Sequence, residues 1–298
     1  MARSELRDRP GASANQPIAL TRDDVAGGLA LSDAAGWNQT ADDWSLFIGA
    51  GHALGVHDAS GRLVATAATL GYGAQAWISM VLVAAHARHR GVASALVSRC
   101  IAEARAGGAT PVLDATPAGA EVYRRIGFVA GFAFQRWQAV AGVGKPRPAS
   151  LDDAVVECVA CAAADGRTAR DAICTLDRAA SGLDRRLMLE AFLARPSTHA
   201  WLGAQGDGFV IAREGRRAWQ IGPLVAASDA QAIALLAVAV SASGARIVID
   251  VPEQRHSIGQ WLALQGFVAQ RSFVRMAFGA APPPLDARSI VLAGPEFG

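Results

Sequence analysis

Charge of either sign is in short supply here. The net charge is only +2 at pH 7, too close to balance for a partner with a phosphate backbone. Long hydrophobic runs are missing too. The longest charge-free apolar stretch, Ala230–Ala245, falls short of the ~20 residues that span a bilayer, and serines interrupt it. Met1–Gln16 is polar and lacks the apolar h-region of a signal peptide. These absences predict a cytoplasmic protein with neither a nucleic-acid nor a membrane partner. Cysteine is scarce: Cys100, Cys158, Cys161 and Cys174. Cys158-x-x-Cys161 offers two ligands, but no second pair or His-x-x-x-His follows, so no metal site is expected. Free thiols in a reducing compartment account for all four.

What is present is apolar material and repetition. The chain is 52% hydrophobic and 18% charged, enough to build real cores. Its 298 residues suit two domains of about 100–200 residues each. "GFVA" stands at 127–130 and again at 266–269, and Phe134 with Phe273 and Arg136 with Arg275 continue the echo at a constant offset of 139. "LVAA" recurs at 82–85 and 224–227. The predicted elements recur as well. The first half reads as a short strand at Ile18–Thr21, two short helices, and a hairpin around Asp58–Gly61. A buried strand through "AWISMVLVAA", a helix closed by Gly107-Gly108, the strand "TPVLDAT", a short helix stopped at Gly127 and a final strand follow. The second half repeats that order after "AGVGKPRPAS", whose Gly/Pro/Ser composition is that of a linker. The expected layout is a flexible N-terminus at 1–16, a first domain at 17–140, a linker at 141–150, a second domain at 151–280 and a Pro-rich tail or strap at 281–298.

The stretch that carries chemistry is "VLVAAHARHRGVASALV", residues 81–97. A buried strand ends at Val83 and a helix starts near Gly91. Backbone N–H groups at a helix start lack intrahelical partners, and the macrodipole adds positive potential, so such a turn binds phosphate. Gly91 and Ala93 let a pyrophosphate approach the backbone, and Arg88, His89 and Arg90 add cationic character.

Arg88-x-x-Gly91-x-Ala93, just after a buried strand, resembles the acetyl-CoA signature of the GNAT acetyltransferases. Tyr123-x-x-x-Gly127-Phe128 resembles a second GNAT feature, although the asparagine that often precedes this helix in the family is absent here. "GWNQT", "LDATPAG" and "GLDRR…GPLVA…IDVPE" are similar to bacterial tandem GNAT proteins with a degenerate C-terminal domain. The resemblance implies an α/β (α+β) fold: two tandem GNAT-like domains, each a mixed, mostly antiparallel sheet flanked by helices. It implies acetyl-CoA as co-substrate, held by Val81, Leu82 and Val83 along a strand and by Arg88, His89, Arg90, Gly91, Val92 and Ala93 at the turn. It implies that Tyr123 protonates the departing thiolate; a phenol, with a pKa of about 10, is protonated at neutral pH. A primary amine, as of a small molecule, would attack directly.

The base stays open between Glu121, Asp114 and a water chain. Trp37 could stack on the acceptor, Asn38 could hydrogen-bond it, and Asp250 could face the same cleft. In the second half the strand meets its helix through Ser228-Asp229, without glycine or arginine, and Leu262 stands where Tyr123 would. The fold is duplicated; the chemistry is expected only once. An acyl-CoA sensor without turnover and a protein acetyltransferase are the alternatives.

Overall fold

A computed structural model describes residues 16–139, 155–159 and 166–298. The N-terminal residues before 16, the linker at 141–150, Cys161 and the side chain of Cys158 lie outside what is described.

The first half runs β1 (Ile18–Ala19), a 3-10 turn at Arg22–Asp24, α1 (Val25–Ala34), α2 (Ala41–Gly49), β2 (His52–His57), β3 (Leu63–Gly71), β4 (Gln75–Val83), α3 (Val92–Ala106), β5 (Thr110–Ala115), α4 (Pro117–Arg125) and β6 (Phe128–Ala139). The second half repeats the order as β7 (Val155–Val159), α5 (Arg167–Ser181), α6 (Arg186–Leu193), β8 (Thr198–Gly203), β9 (Phe209–Glu214), β10 (Trp219–Val225), α7 (Asp229–Ala242), β11 (Ile247–Pro252), α8 (His256–Leu264) and β12 (Phe267–Phe278). A last strand, β13 (Ser289–Val291), has no counterpart in the first half.

Local chemistry sets several boundaries. Thr40 accepts the Asp43 N–H while the Asp43 carboxylate accepts the Thr40 N–H at 2.8 Å, a capping box that starts α2. Residues 167–193 form two helices rather than one, because Gly182 takes φ +70° and ends α5.

The sheet is mixed and mostly antiparallel, with β4–β5 and β10–β11 the parallel pairs. Two separate sheets would follow from two closed domains, but the strands form one, in the order β1-β2-β3-β4-β5-β12-β6-β11-β10-β9-β8-β7. Each half lends its last strand to the other: β12 lies between β5 and β6, and β6 lies against β11. Phe134 and Phe273, related by the sequence offset, stand opposite each other in the β6–β12 pair with rings stacked 5.1 Å apart. An antiparallel pair of equivalent strands has a local two-fold axis, and these two rings sit on it.

Successive strand residues point to opposite faces, so Ala67 and Ala68 enter different cores. On one face α1, α2, α5 and α6 share a single core across both halves, with Trp44, Phe47, Met188 and Phe192. On the other, α3 and α4 cover Leu96, Leu113 and Phe128, while α7 and α8 separately cover Leu235, Ile249 and Leu262.

The Pro-rich end is no tail. β13 pairs with β10, and Phe297 is fully buried in the shared core, stacked on Phe47 at 5.1 Å and edge-on to Phe192 at 4.9 Å. Ile290, Val291, Leu292 and Ala293 are buried as well. Their apolar burial turns the segment into a strap that ties the halves together.

Candidate active site

β4 and β5 pair through Gln75↔Thr110, Ala76↔Pro111 and Trp77↔Val112 and then separate. Beyond Trp77 the edge of β4 that faced β5 has no strand partner among the described residues. A bulge falls here: the β3–β4 register shifts between Thr66 and Ala68, and Met80 takes φ +53°. Bulges re-aim backbone groups next to sites. Thr66 holds this one by donating its hydroxyl to the Met80 carbonyl at 2.8 Å.

This splay opens into a cleft of about 440 Å³, lined by both halves. Ile78–Val81 and Leu113–Thr116 form its floor, with Tyr123 above. Trp37, Asn38 and Gln39 enter from the loop before α2, and the second half contributes Arg217, Ala218, Arg246 and Arg271 to the lining. Pro295 and Glu296 reach it from the strap.

Of the expected site residues, Val81, Trp37, Asn38, Asp114 and Tyr123 line the cleft. The Tyr123 phenol has no hydrogen-bond partner among the described residues, and its ring packs edge-on against Phe128 at 5.7 Å. Burial raises its pKa above the usual phenol value, so it stays protonated and able to donate. Leu82 and Val83 continue β4 towards the turn, where Arg88 donates its Nε–H to the Val83 carbonyl at 3.2 Å. His89 and Gly91 adopt φ +62° and +76°. Gly91 caps α3, with Val92 and Ala93 as its first residues. Arg88, His89 and Arg90 are exposed, and a Cβ placed on Gly91 meets nothing within 4 Å. No backbone carbonyl among the described residues accepts the N–H groups of residues 89–94. The turn is thus a row of unused donors beside open space, which fits a pyrophosphate.

Three expected acceptor residues are otherwise engaged. Asn38 spends its side-chain amide on the turn before β10, donating to the Ala218 carbonyl at 3.0 Å and accepting the N–H groups of Arg217 and Ala218 at 2.8 and 2.9 Å. Glu121 is exposed, pairs with Arg124 and lies outside the cleft. Asp250 is fully buried, held by both Arg136 (2.8 and 2.7 Å) and Gln220 (3.0 Å), and does not line the cleft. Strand exchange explains it: β6 carries Arg136 alongside β11. The mirror pair is Arg275–Asp114, bidentate at 2.9 Å, with the guanidinium over Trp77. Asp114 therefore borders the cleft as half of a buried ion pair, its carboxyl pushed up by burial against the pull of Arg275.

Sequence reading missed Gln39 and Glu296. Gln39 adjoins the noted Trp37-Asn38, so a signal was there; Glu296 sits in a Pro-rich end with none. Two buried polar atoms at the cleft have no partner, the Ser79 hydroxyl and the Gln39 Oε1. Orphaned polar atoms in a lined cleft point to a ligand. Cys100 lies outside the cleft, and burial pushes its thiol up to about 11, unsuited to nucleophilic work.

Two family models match this chain, one in each half. The family described as acetyltransferase (GNAT) family matches residues 27–128, and that described as acetyltransferase (GNAT) domain matches residues 173–291. Each half of the chain thus matches a GNAT model, and the fold is that of two tandem GNAT domains. Comparison with curated proteins gave no match. Among solved structures, a candidate acetyltransferase from Pyrococcus horikoshii is 21% identical over 99% of this chain and 100% of its own, with a TM-score of 0.78. A tandem GNAT protein from the clavulanic acid biosynthesis pathway is 16% identical, covering 90% of this chain and 99% of its own, with a TM-score of 0.63. A GCN5-related N-acetyltransferase from Sphaerobacter thermophilus is 16% identical over 92% and 98%, with a TM-score of 0.60. At these identities the likeness is one of fold. The GNAT fold supports acyl transfer from acetyl-CoA in general. No helix among the described residues is long and apolar enough to cross a membrane.

Proposed function

We propose that this protein is an N-acetyltransferase that moves the acetyl group of acetyl-CoA to a primary amine of a small molecule. The observation that carries the reading is that the free edge of β4 and the phenol of Tyr123 border one cleft. Acetyl-CoA supplies the activated acyl group. The β4 edge at Val81–Val83 would hold its pantetheine arm, with the Ser79 hydroxyl as a further donor. The amides at 89–94 with Arg88 and Arg90 would hold its phosphates. Tyr123 would give its proton to the sulfur as the C–S bond breaks.

A small acceptor suits a cleft that the second half also lines, with Arg217, Arg246 and Arg271; a folded protein would not enter. The second half keeps the bulge, at Gly222 (φ +133°), and the splay after Ile221↔Ile249. There β13 pairs with Leu224 and Val225, while Leu292 donates its N–H to the Asp250 carbonyl at 3.0 Å. Leu224 and Val225 correspond to Leu82 and Val83 in the LVAA echo. The chain's own strand thus lies where the first half would hold a pantetheine arm, so we assign one coenzyme per chain.

Calorimetry with acetyl-CoA, followed by a time course of thiol release with a panel of amines, tests the reading. One site per chain with amine-dependent release supports it. Tight binding with no release from any amine favours the sensor instead.

A further inference from the structure

Glu296 is a carboxylate in an unusual place. It is 9% exposed, it lines the cleft, and it arrives there on the strap rather than on either set of repeated elements. Phe297 and the strap contacts on either side fix it. The Trp77 indole donates to the Pro295 carbonyl at 3.1 Å, and the Tyr72 hydroxyl donates to the Phe297 carbonyl at 3.0 Å. Its Oε1 accepts the Gln39 Nε2–H at 2.8 Å. That bond decides the orientation of the Gln39 amide, since the reverse would set oxygen against oxygen. Gln39 Oε1 is then a buried acceptor without a donor. The second Glu296 oxygen accepts no hydrogen bond from another described residue. A buried acceptor without a donor, beside a buried carboxylate at a cleft, calls for a ligand rich in N–H donors.

We propose that Gln39 and Glu296 seat the amino group of the acceptor and that Glu296 is the base that takes its proton. The proposal rests on the acyl-transfer reading above. An ammonium would donate to Gln39 Oε1 and to the free Glu296 oxygen. Glu296 accepts one proton, leaving the nitrogen lone pair to form the C–N bond at the thioester carbon. As the C–S bond breaks, Tyr123 protonates the sulfur. The remaining surplus proton on nitrogen restores the phenol, and Glu296 returns its proton to solvent.

The groups facing Glu296 suit the task. Burial pushes its carboxyl above the ordinary range, Arg136 from β6 and Arg213 from β9 pull it down, and Asp250 from β11 pushes it up; Tyr72 lies further off. A raised carboxyl is a better base near neutral pH than an ordinary one.

The test uses the full chain with Glu296→Gln, Glu296→Asp and Gln39→Leu. Ethanolamine, spermidine, tyramine, glucosamine and glycinamide serve as acceptors between about pH 5 and 9. Thiol release gives kcat/KM against pH, and calorimetry gives acetyl-CoA affinity. Calorimetry also gives affinity for the best amine on protein saturated with CoA, where no reaction occurs. The proposal expects wild-type kcat/KM to fall at low pH as Glu296 protonates. Glu296→Gln should bind acetyl-CoA normally, lose about 10²–10⁴-fold in kcat/KM and lose that acidic limb. Glu296→Asp should keep the limb with lower turnover. Gln39→Leu should weaken amine binding to the CoA complex by about tenfold.

Glu296→Gln within about threefold of wild type, with the limb intact, would overturn the assignment. Should that variant also lose acetyl-CoA binding, Glu296→Asp decides, and unchanged turnover in it counts against the base. A wild type that binds acetyl-CoA but releases thiol with no amine would instead sink the acyl-transfer reading itself.

Discussion

The two halves solve the same geometric problem in opposite ways. Each has a parallel strand pair that splits just before a bulge, after Trp77/Val112 in the first half and Ile221/Ile249 in the second. Split strands leave N–H and C=O groups without partners, and buried polar groups must be satisfied. In the second half the chain satisfies them with β13. In the first half the described residues leave the β4 edge bare. The turn that follows differs in the same sense. Gly91 leads unused amides into open space, whereas Ser228 caps α7 by accepting the Gln231 N–H, with Asp229 as the first helical residue. The lesson is that a duplicated fold inherits an unsatisfied gap, and a short strap of the same chain is enough to close it.

The most drastic way to break the comparison is to separate the halves. A chain cut after residue 139 would lack β12 from between β5 and β6, and β6 would lose β11 too. Exposed edges and an opened shared core should give aggregated protein, read by size-exclusion chromatography. A soluble, acetyl-CoA-binding fragment would show that the strand exchange is dispensable.

Next come the chemical positions. Tyr123→Phe keeps the ring against Phe128 and removes the proton donor. Turnover should fall about 10²–10⁴-fold with little change in acetyl-CoA affinity. Gly91→Glu imposes a side chain at φ +76° and a negative charge at the phosphate turn, so binding should weaken by about a hundredfold or more. Asp229→Ala in the second half should leave that affinity within about twofold if, as proposed, the coenzyme binds only in the first half. Equal losses at both turns would refute the single site.

Smaller effects probe the strap and the paired ions. Phe297→Ala should cost about 3–5 kcal/mol in urea unfolding, since the ring is wholly buried between Phe47 and Phe192. Asp250→Asn leaves the buried Arg136 guanidinium without its counter-ion, a loss of roughly 3–5 kcal/mol. Asn38→Ala removes the three hydrogen bonds that tie α2's leading loop to the turn before β10. It should cost about 1–3 kcal/mol and be the mildest of the set.

The sequence by itself determined the duplication, the order of elements, and the glycine turn that leads into α3, because these depend on neighbours in the chain. Periodicity, caps and glycine signals are local, and Tyr123 was legible through the resemblance of Tyr123-x-x-x-Gly127-Phe128 to a GNAT feature. It could not reveal which strand pairs with which. The exchange of β6 and β12 depends on contacts between residues more than a hundred positions apart, and no local propensity encodes them. That exchange turned Asp250 and Asp114 from candidate site acids into partners of Arg136 and Arg275. A proline-rich end read as tail or strap because its few apolar residues find their cavity only when both halves are assembled. Tertiary structure alone decided that this strap fills one splay and carries Glu296 to the other, since burial of Phe297 in a core made by both halves fixes where the carboxylate ends up.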